Sequence, residues 1–216
     1  MEDDRASRPA PSLAPEHDWV AASPLVRPAL RPSGTAGADG RDLRVPAGGT
    51  GPGEQIVRAG PAGLTIVYVL PGPGFDVVVG VDHLLAWGVG PDEVHAAAMC
   101  NLGAWSAGAP WADEVSGQRR ILWSDGGEGL DAARILLDEV RARLAADLGA
   151  DRRILVGLPE RDVLIAAGLA EGDDEFGSMF ADWVADLAHA ADHPIDKQVF
   201  ELLDGELVAF EKPFEA

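Results

Sequence analysis

Apolar positions along this chain come in short runs broken by turn residues, and the C-terminal third shows the arrangement best. Residues 153–158 (Arg153-Ile154-Leu155-Val156-Gly157-Leu158) form one run and residues 163–167 a second, with Pro159-Glu160-Arg161-Asp162 between them. That tetrapeptide predicts a turn between two paired strands. After Glu171-Gly172-Asp173-Asp174, the residues Phe176, Phe180, Trp183, Val184 and Leu187 keep helical spacing, and His193-Pro194 predicts the stop. Residues 198–203 and 206–210 flank Asp204-Gly205, a pair suited to the left-handed backbone of a tight hairpin.

The same reading extends upstream. Residues 63–70 are rich in β-branched and aromatic side chains and predict a strand; Pro71-Gly72-Pro73-Gly74 turns it, and residues 75–81 return beside it. Residues 83–87 predict a short helical turn closed at Gly88. Pro91 then opens a longer helix, with Asp92 and Glu93 at its positive end and Val94, Ala98, Leu102 and Trp105 on one face. Residues 111–115 and 119–123 predict a hairpin around Ser116-Gly117-Gln118. Residues 130–148 predict the longest helix, through Ile135, Leu136, Val140, Leu144 and Leu148, with Gly149 as its stop.

Strands that arrive as hairpins, with helices inserted between pairs, predict an α+β fold. The expected form is a mostly antiparallel sheet with three main helices packed on one face. Residues 1–53 break the pattern: they carry half of the 16 prolines and only scattered apolar residues. Such a composition buries too little surface to offset its ordering entropy, which predicts a disordered or extended Pro/Gly-rich tail. Docking of Trp19-Val20 and Leu25-Val26 on the domain or on a partner is the alternative. Residues 54–216 then make a single α+β domain.

Charge sharpens this division. Seven of the 36 acids and six of the 17 bases lie in residues 1–53, which leaves 29 against 11, a charge of −18, on residues 54–216. A surface of that sign repels nucleic acid and anionic lipid and favours a basic partner, although adaptation to a salty interior gives the same balance. Cys100 has no second cysteine to pair with. No apolar run approaches the roughly 18–20 residues that span a bilayer. The start of the chain lacks the basic and apolar pattern of a signal peptide, so the expected location is the cytoplasm.

Several segments are similar to the YtpQ-like family of bacterial proteins, a domain family without an assigned reaction. They are Leu84-Leu85-Ala86-Trp87-Gly88-Val89, Glu93-Val94-His95 with Asn101-Leu102, and residues 129–137. Leu158-Pro159-Glu160-Arg161-Asp162-Val163-Leu164 follows, then His193-Pro194-Ile195 and Val199-Phe200 with Asp204-Gly205. The resemblance runs in order over about residues 60–213. It implies a cytoplasmic α+β fold and implies no reaction; the long Pro/Gly tail and the scarcity of lysine depart from the family.

Candidate chemistry falls in three places. Asp182, Asp186, His189 and His193 lie within roughly a 60° arc of a helix, and imidazole and carboxylate at that spacing can chelate a divalent metal. This is the enzyme alternative, a small metal-dependent hydrolase with Glu160 or Asp162 as base; a solvated helix face is the competing reading, without any cofactor. Arg161 in its turn can meet an anion, with Asp162 orienting the guanidinium, which makes a regulatory module sensing a small anion a further alternative. Trp105, Trp111 and Trp123 bracket one region and can line a groove, with burial in the core as the competing reading. The Gly126-Gly127 loop lacks the Lys and Ser/Thr of a phosphate cradle, and Cys100, on a helix among apolar neighbours, is expected to be a buried, inert thiol. With no Gly-x-Ser-x-Gly, His-Glu-x-x-His or Cys-x-x-Cys motif present, the favoured expectation is a non-enzymatic acidic binding or adaptor module for a basic protein. Trp105, Trp111 or the tail would supply its apolar anchors.

Overall fold

A computed structural model describes residues 17–32, 55–72, 75–149 and 152–210. The elements run α1 (Trp19–Ala22), β1 (Arg27–Arg31), β2 (Val57–Ala59), β3 (Thr65–Pro71), β4 (Asp76–Val78), α2 (Val81–Trp87), α3 (Pro91–Gly108), β5 (Ala112–Ser116) and β6 (Arg119–Ser124). After a 3-10 segment at Ala132–Leu136 come α4 (Asp138–Leu148), β7 (Arg153–Glu160), β8 (Val163–Leu169), α5 (Asp174–Ala190), β9 (Val199–Leu203) and β10 (Glu206–Ala209). All described strand pairs are antiparallel, in a small sheet centred on β3 and a six-stranded sheet ordered β10-β9-β7-β8-β6-β5. The class is α+β.

Two cores share the large sheet. On one face, Ile154, Val156, Leu158, Leu164 and Phe200 join α3, α4 and the inner face of the small sheet in one apolar cluster. On the other, Leu155, Ile165, Ala167 and Leu169 pack against Phe176, Phe180 and Val184 of α5. The helices therefore do not gather on one face, because β7 and β8 are apolar on both sides and each side needs a cover. Close approach of α5 explains Gly157: a Cβ there would sit 2.5 Å from Val184 Cγ2.

The N-terminal expectation is corrected for residues 17–32. Ala22 and Val26 are fully buried, and β1 pairs with β3 from Arg27↔Val69 to Arg31↔Thr65. Asp18 caps α1 by accepting from Val20 N–H at 3.0 Å. Asn101 of α3 donates from one Nδ2 to the carbonyls of both Ser23 and Val26 at 2.8 Å, a tie that composition cannot reveal. The rest of the expected tail lies outside the described residues.

Two further expectations change. The helix expected over residues 130–148 is broken at Leu137, which is extended and separates the 3-10 segment from α4. Leu130, Ala132, Ala133, Ile135 and Leu137 are all buried, so this segment has no solvent side to mark a helical period. The turn expected at Pro159-Glu160-Arg161-Asp162 shrinks to Arg161-Asp162. β7 continues through Pro159 to Glu160 with a register shift after Gly157, an irregularity that accommodates a residue without an N–H. Asp204 and Gly205 form the expected hairpin turn, both at positive φ.

Candidate functional site

A cleft of about 610 Å³ opens between α4 and the β9–β10 hairpin. Asp138, Arg141, Ala142 and Ala145 fall at i, i+3, i+4 and i+7 on α4 and form one wall. The small side chains of Ala142 and Ala145 leave the depth. Ile154 and Leu202, nearly fully buried, make an apolar floor, while Asp204 and Glu206 stand on the opposite rim.

The two cations of this cleft are already engaged. Arg141 donates to the Ile135 carbonyl at 2.8 Å, across the break before α4, and pairs with Asp138. Arg152 donates to the Gln118 carbonyl. Among the described residues no ion pair involves Asp204 or Glu206. The unspent capacity of the cleft is therefore that of hydrogen-bond-accepting anions above an apolar floor. Such a combination receives a cation carried on an aliphatic stem.

The residues singled out in the sequence occupy other places. Trp105 and Trp111 are half-buried and enclose Arg134, whose guanidinium carbon lies 4.2 Å from the Trp111 ring centroid and 5.8 Å from that of Trp105. Their expected role as free anchors gives way to this cage, and Arg143 stacks on Trp111 as well, 5.2 Å from its centroid. Trp123 packs on the α5 side of the sheet. Cys100, expected to be buried, is exposed on α3.

Arg134 is only 1% exposed. Its donors reach Ser106 Oγ at 3.0 Å, Ser124 Oγ at 2.6 Å, and the carbonyls of Ser106 and Pro110 at 3.2 Å. Desolvation pulls its pKa down to about 10, against the opposing charge of Asp131. Asp131, fully buried, accepts from Ser124 Oγ and from Gly126 N–H at 2.9 Å. Ser124 thus bridges a buried cation and a buried anion. The one sequence signal for this pair was an Asp and an Arg three apart in an otherwise apolar stretch.

Asp182, Asp186 and His189 are exposed on α5, but the helix ends at Ala190 and His193 lies beyond it. The missing N–H of Pro194 and its steric demand on the preceding residue account for the stop. The four residues do not converge. Among the described residues no group of three His, Cys, Asp or Glu side chains is placed to hold a metal ion.

Glu160 lies at the end of β7, opposite Pro194 in an isolated bridge. Burial, then the charges of Asp162 and Asp192, push its carboxyl up, with His193 and Arg161 opposing. Asp162 accepts from Gly129 N–H and touches Arg161 Nε at 3.4 Å, so it serves the turn and the guanidinium together.

A second mixed cluster joins the small sheet to α3. Tyr68 O–H and His95 Nδ1 are 2.9 Å apart, and Arg58 pairs with Asp92 beside them. Burial, then Arg58, hold His95 below the usual histidine range, and burial raises Tyr68.

The chain matches no family model, no curated protein and no solved structure. Fold and site define an α+β protein with an acid-rimmed cleft, and among the described residues no helix is long and apolar enough to cross a membrane.

Proposed function

We propose that this protein is a non-enzymatic binding module for a basic protein partner, and that a lysine or arginine side chain of the partner enters the cleft between α4 and the β9–β10 hairpin. The observation that carries this reading is the pairing of two carboxylates, Asp204 and Glu206, with a floor of Ile154 and Leu202. An aliphatic stem lies on the floor while its charged head meets the rim. The surplus of acids adds long-range attraction, which speeds encounter more than it tightens the complex. A cytoplasmic location and membership of the YtpQ-like family belong to the same proposal.

Fluorescence anisotropy with lysine- and arginine-bearing peptides tests the reading. Affinity should fall with salt as screening shortens to about 10 Å at 0.1 M. It should fall roughly three- to tenfold in the Asp204→Asn/Glu206→Gln double variant, about the loss of one charge-assisted contact. Binding that ignores both salt and the double variant refutes it.

A further inference from the structure

The large sheet is covered unequally on the face that carries α5. A helix with its side chains is about 10 Å across and strands lie about 4.8 Å apart, so one helix covers roughly two strands. Of the described helices only α5 contributes to the apolar cluster on this face, where it meets Leu155 of β7 and Ile165, Ala167 and Leu169 of β8. Contacts in its first turn orient it. The Arg119 guanidinium of β6 stacks on the Phe176 ring, 4.9 Å from its centroid, while a Cβ on Gly177 would lie 3.6 Å from Phe210, which is bonded beside β9. The Phe176 flank of α5 therefore faces β6, and the Gly177 flank faces the opposite way.

At about 100° per residue, Trp183 and Met179 fall about 20° and 60° from Phe176, on the β6 flank and turned outward. They remain 39% and 52% exposed, and the Trp183 ring keeps an edge contact with Phe180, its centroid 6.2 Å away. Trp123 of β6 pairs with Ile165, which pairs with Gly157 beneath Val184, so Trp123 lies level with Trp183. Trp123 and Ile121, both half-buried, continue the apolar surface away from α5 toward β5, the edge of the sheet.

Carboxylates border this strip on both sides. Asp186 and Glu175 fall about 20° and 40° beyond Met179 along the solvent side of α5, a helix with four acids and no Lys or Arg. On the far side, the exposed Glu114 of β5 pairs with Ile121 and so shares its face. Among the described residues no ion pair involves Glu114, Glu175 or Asp186. An exposed tryptophan and methionine between carboxylates complement an amphipathic helix whose apolar face is bordered by Lys or Arg. A second copy of this chain would instead set these carboxylates against their own kind, on a domain already at −18.

We propose that this strip docks a basic amphipathic helix of a partner protein, laid alongside α5 over β6 and β5 with Trp183 as its anchor. The strip and the α4 cleft are on opposite faces of the large sheet, so neither reading depends on the other.

The test is fluorescence anisotropy of labelled peptides of about 18 residues, roughly five helical turns, with the full chain. One peptide has leucine on one helical face and lysine on the other. A second has the same composition scrambled to leave no apolar face, and a third replaces lysine by glutamate. The first should bind saturably, about tenfold or more tighter than the scrambled peptide, and the third should not bind. Trp183→Ala should weaken the first about tenfold or more, and Glu175→Gln/Asp186→Asn several-fold with a shallower salt dependence. The cleft variant Asp204→Asn/Glu206→Gln should leave this affinity unchanged. Equal affinity for the scrambled peptide, binding unaltered in Trp183→Ala, or loss in the cleft variant overturns the proposal. A dimer in sedimentation that Trp183→Ala dissociates gives the strip to a second copy and overturns it as well. Should Trp183→Ala not fold, an affinity unaltered in Glu175→Gln/Asp186→Asn overturns it on its own.

Discussion

Arg134 and Arg161 are the same residue type and live under opposite rules. Arg134 is enclosed by two indoles and satisfied by hydroxyls and carbonyls from the end of α3 and from β6, with Asp131 as its buried counter-charge. Arg161 is partly exposed and held by two long contacts, to Asp76 and Asp162. Burial makes the first arginine a fixed part of the fold, since an ion in the interior cannot lose its partners cheaply. Solvent makes the second one replaceable, since water or another anion competes with Asp76 at little cost. An arginine among apolar residues thus marks architecture here, whereas an arginine in a turn marks a surface able to exchange partners.

Substitutions test that contrast, beginning with the largest effect. Arg134→Ala strands Asp131 as an uncompensated interior charge and should cost about 3–5 kcal/mol, measured from the urea midpoint at constant slope. A loss under about 1 kcal/mol would mean that the network is not holding the fold. Trp111→Ala removes one wall of the cage and opens it to water, with an expected loss of about 2–4 kcal/mol. In Gly157→Ala the new methyl meets Val184 and pushes α5 off β7, at about 1–3 kcal/mol, with hydrogen exchange quickening first in α5. Arg161→Gln should change stability by less than about 1 kcal/mol. A larger loss would place Arg161 with Arg134 and erase the distinction between them.

The smallest effect concerns pH. His95 has a folded-state pKa below its unfolded value near 6.5, from burial and then Arg58. As pH falls from about 6.5 through the folded pKa, the unfolded chain takes up the proton first, so stability is lost over that window and levels off below it. Above 6.5 the neutral ring keeps its 2.9 Å hydrogen bond with the Tyr68 hydroxyl and the contribution is complete. The other groups facing the ring are Arg58 from β2 and Asp92 from its own helix. Subtracting the pH–stability curve of His95→Gln from that of the wild type should isolate this slope, and parallel curves would refute it.

The features legible in the chain were those decided within a few residues. Gly88 ends α2 at a φ of 69°, Pro91 opens α3, and Asp204-Gly205 turns its hairpin, because each depends on backbone preferences that need no distant partner. The cleft was not legible. Asp138, Asp204 and Glu206 read as scattered surface acids until the hairpin folds beside α4, and the alanine pair at 142 and 145 was silent about the space it leaves. Composition places Arg31 in a tail, because a proline-rich stretch reveals only average burial and not a specific tie such as that of Asn101.

Glycine, proline and the alternation of apolar residues were enough to dictate the hairpins, the helix ends and the α+β class, since these are steric and local. Which face of β7 and β8 each helix covers, where the segment before α4 breaks, and which arginine is sealed inside were settled by packing alone. Those outcomes depend on the burial of surfaces that only come together when strands far apart in the chain pair, and no short stretch of sequence holds that information.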